Sequence, residues 1–236
     1  MKKWTKIALF LAAVAGCLFP VQLAMAAGPA DGVLPVEQYT SPKARTLAAR
    51  YWDDLRVLST GIYHCIPWVE VRKESIGFFK PRHLKAGDDR YLGVRIFVEQ
   101  DASKAFAALP IEGRASAMYS RYFTPLLRRM TRNPTILSDP SVDGFTLLIE
   151  WVKQGPRSGG MRPVHELIAV FVDRAAANAY LSGQVSADDV TRQVKVLAWD
   201  GETPLGQVNV IGYDDDFVAT YRNPNYKLAP GITCNS

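Results

Sequence analysis

The stretch Val94-Arg95-Ile96-Phe97-Val98-Glu99 decides the fold that this sequence predicts. Branched apolar residues alternate in it with other side chains, which is the pattern of a β-strand with one buried face. Further along the chain, Ile168-Ala169-Val170-Phe171-Val172-Asp173 repeats the pattern, and an alanine-rich segment follows each stretch. We therefore predict two strand-strand-helix units related as a pseudo-repeat, with a ligand cleft between them.

The surrounding segments predict a single α+β domain. We expect an antiparallel sheet of about six strands, with helices packed on one face of the sheet. No Gly/Ser-rich linker or block of charge divides the chain into two parts. The strands are expected among residues 66–72, 76–79, 91–99, 145–152, 166–172, 194–199 and 208–213.

The first helix is predicted to begin at Pro42. Ser41 is a good N-cap, and proline suits the first helical position because its missing N–H is not needed there. Apolar residues then recur at spacings of three and four as far as Ile62. We expect this helix to end near Gly61 and a strand to follow it.

The N-terminal segment 1–26 has the pattern of a bacterial secretion signal. Three lysines precede an apolar stretch at 7–16. A run of about ten residues is too short to cross a ~30 Å hydrocarbon core, so we expect no transmembrane segment after cleavage. Ala24-Met25-Ala26 suits a signal peptidase. This predicts a mature domain at 27–236, with an extended C-terminal tail, in the periplasm or secreted.

A second cleavage site competes with the first. Val14-Ala15-Gly16-Cys17 resembles the lipobox of bacterial lipoproteins, in which the cysteine becomes the lipidated first residue. The resemblance covers these four positions alone, and the segment after Cys17 stays apolar instead of forming a polar tether. The alternative to soluble release is therefore a lipid anchor on Cys17.

The net charge of the chain, +5, shrinks when the signal is removed. The segment 1–26 holds three of the 28 basic residues and none of the 23 acidic residues. The mature chain then has a net charge of +2, without the basic surplus of a nucleic-acid-binding protein. We expect no nucleic acid among its partners.

Cys65 and Cys234 are the two cysteines of a chain that begins at Ala27. An even count in an oxidising compartment predicts a disulfide, which would fasten the C-terminal tail. The alternative is two unpaired cysteines. In that case Cys65 would be a candidate thiol nucleophile, with His64 next to it.

The sequence contains no strong catalytic motif. It lacks the serine-hydrolase elbow, the zinc helix, the phosphate loop and the paired redox cysteines. Asp214-Asp215-Asp216 does not have the spacing of a calcium loop, so we predict no metal site and no cofactor. A hydrolase would have to assemble its acid, base and nucleophile from distant positions, and the candidates are His64, His165, Glu166 and Asp214.

A predicted loop concentrates cationic side chains at Lys80, Arg82, His83 and Lys85. These groups are our candidate binding residues for an anionic ligand or an envelope protein, although a solvated face explains them without any partner. The leading hypothesis is an exported, non-catalytic binding or envelope-assembly module. The alternatives are an envelope hydrolase and a lipoprotein anchored through Cys17.

Overall fold

The computed structural model describes residues 32–66, 68–98, 104–154, 163–212 and Cys234. After a short 3-10 turn at Val36–Gln38, this part of the chain forms helices α1 to α7 and strands β1 to β7. In chain order they are α1 (Pro42–Arg50), α2 (Trp52–Cys65), β1 (Val69–Val71), β2 (Gly77–Phe79), β3 (Tyr91–Val98), α3 (Lys104–Ala108), α4 (Ile111–Met130), α5 (Pro134–Ser138), β4 (Gly144–Gln154), β5 (Val164–Asp173), α6 (Arg174–Leu181), α7 (Ala187–Gln193), β6 (Lys195–Asp200) and β7 (Thr203–Gln207).

The strands form one open sheet in the order β1-β3-β4-β5-β6-β7, and β2 also pairs with β3. The predicted α+β class is confirmed, and the described residues contribute seven strands where about six were expected. The prediction of an antiparallel sheet is wrong at one place, because β3 and β4 run parallel. Helices α3 to α5 lie between these two strands and supply the crossover that a parallel pair requires.

One face of the sheet is covered by the helices. Val94, Ile96 and Val98 on β3 point to this side, where they are buried against apolar residues of the helices. The long helix α4 contributes Phe123 and Leu126 to the same core. Because side chains alternate along a strand, the residues between these core positions point to the opposite side, which we call the open face.

The first helix departs from its predicted bounds. The chain breaks at Tyr51 into α1 and α2, and α2 then continues through Gly61 to Cys65. The apolar stripe of α2 is still buried at Ile62, and the Ile66 N–H still donates to the Ile62 carbonyl. This packing outweighs the roughly 1 kcal/mol that a glycine costs inside a helix. The predicted strand at 66–72 is accordingly shortened to β1.

The last hairpin is tighter than predicted. Its second strand was expected at 208–213, but β7 lies at Thr203–Gln207, within the predicted loop. Gly201 has a φ of +59° and provides a left-handed turn position, so pairing with β6 resumes at Thr203. In the part of the chain that is described, no helix is both long and apolar enough to cross a membrane.

Candidate functional site

The hydrolase candidates do not meet in the described structure. His165 and Glu166 are neighbours on β5, so His165 points to the open face and Glu166 points into the helix-covered core. His64 lies in the last turn of α2, on the helix side, where its ring contacts Tyr63 edge-on. Asp214 lies outside the described residues.

Glu166 is held in the core by an ion pair. Arg114 of α4 donates from Nε and Nη2 to its carboxylate at 2.6 and 2.5 Å. The Trp151 indole donates to the same carboxylate at 3.0 Å, and the Lys153 ammonium lies 3.6 Å from it. The side chain of Glu166 is 1% exposed. These contacts give it a structural role between α4 and the sheet.

The open face carries a polar cluster that centres on Glu150, a residue that the sequence did not single out. Glu150 lies on β4, and its side chain is only 8% exposed. Arg72 donates to its carboxylate from Nη2 at 2.9 Å and from Nε at 3.3 Å. Arg95 of β3 donates from Nη2 at 2.8 Å and from Nε at 3.2 Å. One carboxylate therefore orients two guanidinium groups.

His165 is the third polar partner of Glu150. Its Nδ1 lies 2.8 Å from Oε1 of the glutamate. The imidazole stacks on the Phe97 ring with 5.3 Å between the ring centroids, and the Arg72 guanidinium lies 4.4 Å from the same ring centroid. We call these five residues the open-face cluster; they are Arg72, Arg95, Phe97, Glu150 and His165.

The open-face cluster keeps Glu150 ionised. Burial raises the pKa of this carboxyl, but the hydrogen bonds from Arg72 and His165 outweigh it and hold the pKa at about 2. The side chains around it reach solvent, because those of Arg72 and His165 are each 31% exposed and that of Arg95 is 43% exposed. A buried anion thus fixes three side chains whose outer edges are accessible.

Both arginines present the same edge of the guanidinium group to the Glu150 carboxylate. Each donates from Nε and Nη2, which leaves its Nη1 group directed elsewhere. Nη1 of Arg72 lies 3.8 Å from the Glu70 carboxylate. Among the described residues, no hydrogen bond or ion pair engages Nη1 of Arg95. A carboxylate of a ligand can approach that group without displacing a contact to any of the described residues.

Two of the four residues of the predicted basic loop, Lys80 and His83, form contacts within the protein itself. The Lys80 ammonium donates to the carbonyls of Lys85 and Gly87 at 3.1 and 2.8 Å. His83 packs edge-on against Phe171, with 4.5 Å between the ring centroids, and burial and the charge of Lys195 lower its pKa. Arg82 and Lys85 are exposed. That Lys80, Arg82, His83 and Lys85 bind a ligand stays a prediction.

The predicted disulfide is present. Cys65, at the end of α2, is bonded to Cys234 across a sequence separation of 169 residues, with 5.4 Å between the two Cα atoms. The Cys65 sulfur is therefore occupied, and the bond ties the C-terminal region to the helix layer. In the described part of the chain, no group of three His, Cys, Asp or Glu side chains could hold a metal ion.

The strand alternation indicated which residues share the open face, but the sequence offers no signal for the register that brings them together. Arg95, Glu150 and His165 come from three strands, separated along the chain by 55 and 15 residues. No protein-family model matches this chain, and comparison with curated proteins and with solved structures finds no significant similarity. What the protein does must therefore be inferred from its own geometry.

Proposed function

We propose that this protein is an exported, non-catalytic binding module whose contact surface is the open-face cluster together with the apolar residues beside it. Its partner would be an envelope protein that presents a carboxylate next to apolar side chains. The observation that carries the proposal is the orientation of two arginines and a histidine by one buried carboxylate, on the sheet face that the helices leave uncovered. Donors that a buried carboxylate holds in place lose little entropy when they bind.

The registers of the strands arrange this surface in rows. In one row, Phe97 pairs with Glu150, Glu150 with Leu167, and Leu167 with Trp199. In the next row, Arg95 pairs with Leu148, Leu148 with Ala169, and Ala169 with Leu197. The first row begins with an aromatic and an acidic side chain at β3 and β4, the second row begins with the arginine at β3, and both rows end on apolar groups at β5 and β6. With strands about 4.8 Å apart, a row spans about 14 Å from β3 to β6.

The length and composition of these rows favour a protein segment over a small anion. Leu148, Leu167, Leu197 and Trp199 are only half-buried. Exposed aromatic and arginine side chains are the residue types that contribute most of the energy at protein interfaces. An acidic side chain of the partner would contact Nη1 of Arg95, and its apolar neighbours would cover the half-buried leucines.

The geometry supports binding better than hydrolysis. Glu150 orients the His165 ring as the acidic member of a catalytic triad would. A serine or cysteine nucleophile would also have to hydrogen-bond to that ring. Within the described residues, however, the Glu150 carboxylate is the one hydrogen-bond partner found for the His165 ring. For the envelope-hydrolase alternative, the described residues therefore provide an oriented base but no nucleophile beside it.

The proposal includes a location outside the cytoplasm. The Cys65–Cys234 disulfide is compatible with an extracellular or periplasmic location, since such bonds persist in oxidising environments. The test is the intact mass of the protein purified from the envelope fraction. A mass that begins at Ala27 supports soluble release, whereas a diacylglycerol adduct on Cys17 would replace it with the lipid-anchored alternative. The pseudo-repeat also stays a prediction, and the proposed surface does not depend on it.

A titration followed by NMR tests the contact surface directly. The probes are two acetylated peptide amides, Leu-Leu-Glu and its neutral counterpart Leu-Leu-Gln. We expect the glutamate peptide to shift the Arg95 Nε–H and the Leu167 and Leu197 methyl signals in a saturable way. The Arg95→Gln variant should bind it at least about tenfold more weakly, because a charge-assisted hydrogen bond is lost.

The matched control is Arg56→Gln. Arg56 is exposed on α2, on the other side of the sheet, so its loss removes the same charge from a distant surface. This variant should bind the glutamate peptide as the natural protein does. Equal binding of the two peptides would overturn the proposal. Shifts confined to Arg82 and Lys85 would also overturn it, because they would move the contact surface to the basic loop.

A further inference from the structure

A cleft of about 330 Å³ lies on the helix side of the sheet, between α2, α4 and β3. The apolar side chains that line it are 0 to 6% exposed at Leu55, Leu58, Leu92, Met130 and Ile136, so they offer a ligand almost no surface. The groups that a ligand can contact are polar, and they belong to Asp54, Arg129, Arg132 and Asn133. The buried apolar side chains lower the local dielectric constant and thereby strengthen the electrostatic interactions of these groups.

The two arginines of this cleft are cations without a counter-charge. Arg129 lies in the last turn of α4 and Arg132 follows the helix. Among the described residues, no carboxylate forms an ion pair with either guanidinium, and no hydrogen bond engages either side chain. Arg129 is half-buried, and burial together with the nearby charge of Arg132 lowers its pKa. Two like charges that are close and partly desolvated are unfavourable, and a bound anion would relieve both effects.

Gly61 leaves open space in front of Arg129. It lies inside α2, although glycine is a poor helix former. A Cβ at this position would lie 3.4 Å from Nη1 of Arg129. Apart from the immediate chain neighbours of Gly61, no other side chain lies within 4 Å of that Cβ. The absence of a side chain at position 61 therefore leaves this edge of the guanidinium accessible from the cleft.

Asp54 adds a hydrogen-bond acceptor to the same cleft. Its Oδ2 accepts from the Asn133 amide at 3.1 Å, whereas no donor among the described residues engages its Oδ1. Asp54 lies about two turns before Gly61 on the same face of α2, which is about 10 Å along the helix axis. An anion that accepts from Arg129 and donates to Asp54 spans about 8 Å, the sum of its own width and two hydrogen bonds of about 2.8 Å. The positions of the two side chains therefore suit an anion that carries a hydroxyl group.

We propose that this cleft binds inorganic phosphate. The phosphate oxygens accept hydrogen bonds from Arg129 and Arg132, since guanidinium groups match phosphate with paired donors. The hydroxyl group that inorganic phosphate keeps near neutral pH donates to Oδ1 of Asp54. Sulfate has the same shape and no hydrogen to donate, and the dianion of a phosphate ester also lacks one, so Asp54 repels both. The inference does not rest on the proposed contact surface, which lies on the other side of the sheet.

A titration of the ¹⁵N-labelled mature protein tests the site, followed by NMR through the backbone amides of Gly61 and Arg129. The probes are inorganic phosphate, sulfate and methyl phosphate, added at constant ionic strength. At about pH 8 methyl phosphate is a dianion without a hydrogen on its phosphate oxygens. We expect phosphate to shift both amides in a saturable way. Sulfate and methyl phosphate should bind at least about tenfold more weakly, because repulsion replaces the hydrogen bond to Asp54.

Three variants locate the contacts, and urea unfolding of each one shows that it is folded. Arg129→Gln should weaken phosphate binding at least about tenfold, because a charge-assisted hydrogen bond is removed. Arg128→Gln removes the same charge from an exposed neighbour that does not line the cleft, and it should bind phosphate normally. Asp54→Asn should bind sulfate about as tightly as phosphate, because an amide does not repel sulfate and can donate to it.

Three outcomes would overturn the inference. The first is that phosphate causes no saturable shift of the two amides in the natural protein. Equal weakening by Arg128→Gln and Arg129→Gln would show a response to overall charge instead of a site. Methyl phosphate that binds as tightly as phosphate would make a phosphate ester the ligand and would remove the role of Asp54. Binding of the Leu-Leu-Glu peptide to the open face is measured separately, so failure here leaves that proposal standing.

Discussion

The guanidinium of Arg114 on α4 and the carboxylate of Glu166 on β5 form a buried ion pair with two hydrogen bonds, at 2.5 and 2.6 Å. The exposed fractions of the two side chains are 9% and 1%. The pair links the helix layer to the centre of the sheet, where Trp151 adds a third donor to the same carboxylate. Glu166 is thus fully engaged on the side of the sheet that the helices cover.

Removal of Arg114 from this ion pair should destabilise the folded protein. We expect Arg114→Met to lower the free energy of unfolding by about 3 kcal/mol, because it leaves a buried carboxylate without its main counter-charge. Lys153, at 3.6 Å, offers partial compensation and keeps the loss near the lower end of the usual range. Urea unfolding at pH 7 measures the change. The double variant Arg114→Met, Glu166→Gln should recover part of it, since it removes the charge and leaves an acceptor for Trp151. A single-variant loss below about 1 kcal/mol would contradict this account.

Glu150 should make the stability depend on pH. Its pKa is about 2 in the folded protein against 4.5 in the reference state, so between these values the unfolded chain binds more protons than the folded one. The stabilisation is complete above about pH 4.5 and is lost as the pH falls through 2. We expect the stability advantage of the natural protein over Glu150→Gln to shrink by on the order of 2 kcal/mol between pH 5 and pH 2. Chemical unfolding of both proteins over this range measures it. A constant difference would show that the carboxylate is not held ionised by its partners.

The Phe97 ring should stabilise the position of Arg72. The Arg72 guanidinium lies 4.4 Å from the ring centroid of Phe97, and the His165 ring stacks on the same phenylalanine at 5.3 Å. A double-mutant cycle with Phe97→Leu and Arg72→Met should give an interaction energy of about 0.5 to 1 kcal/mol, the size of a cation–π contact at a partly exposed site. Urea unfolding of the four proteins measures it. A matched cycle that replaces Arg72 with Arg82, a basic-loop residue, should show additivity, and equal values in the two cycles would contradict the contact.

The disulfide should contribute several kcal/mol to stability. It closes a loop with a sequence separation of 169 residues, for which the chain-entropy model gives about 5 kcal/mol as an upper figure. We expect the Cys65→Ser, Cys234→Ser variant to lose about 2 to 4 kcal/mol in urea unfolding without reductant. Mass spectrometry should find two thiols in the natural protein that react with an alkylating agent only after reduction. Alkylation of Cys65 without reductant would contradict the bond and would restore this cysteine as a candidate nucleophile.

Local patterns predicted much of the fold. The alternation in the stretches quoted from β3 and β5 located both strands, and Ser41 caps α1 as expected by accepting a hydrogen bond from the Ala44 N–H. The pairing of Cys65 with Cys234 was predicted from the even count that remains once Cys17 is removed with the signal. The strands and the helix cap depend on a residue and its near neighbours, which is why one sequence suffices to predict them.

Only the tertiary structure decided how the strands pair and which side chains come into contact. The parallel pairing of β3 with β4, and with it the contact of Arg95 with Glu150, depends on a crossover of three helices that no local pattern encodes. Alternation indicates the face to which a side chain points, but a strand can satisfy the same alternation in several registers. By itself, the sequence therefore determined which residues share a face. Long-range packing selected the register, and the register brought Glu150, its two arginines and His165 together.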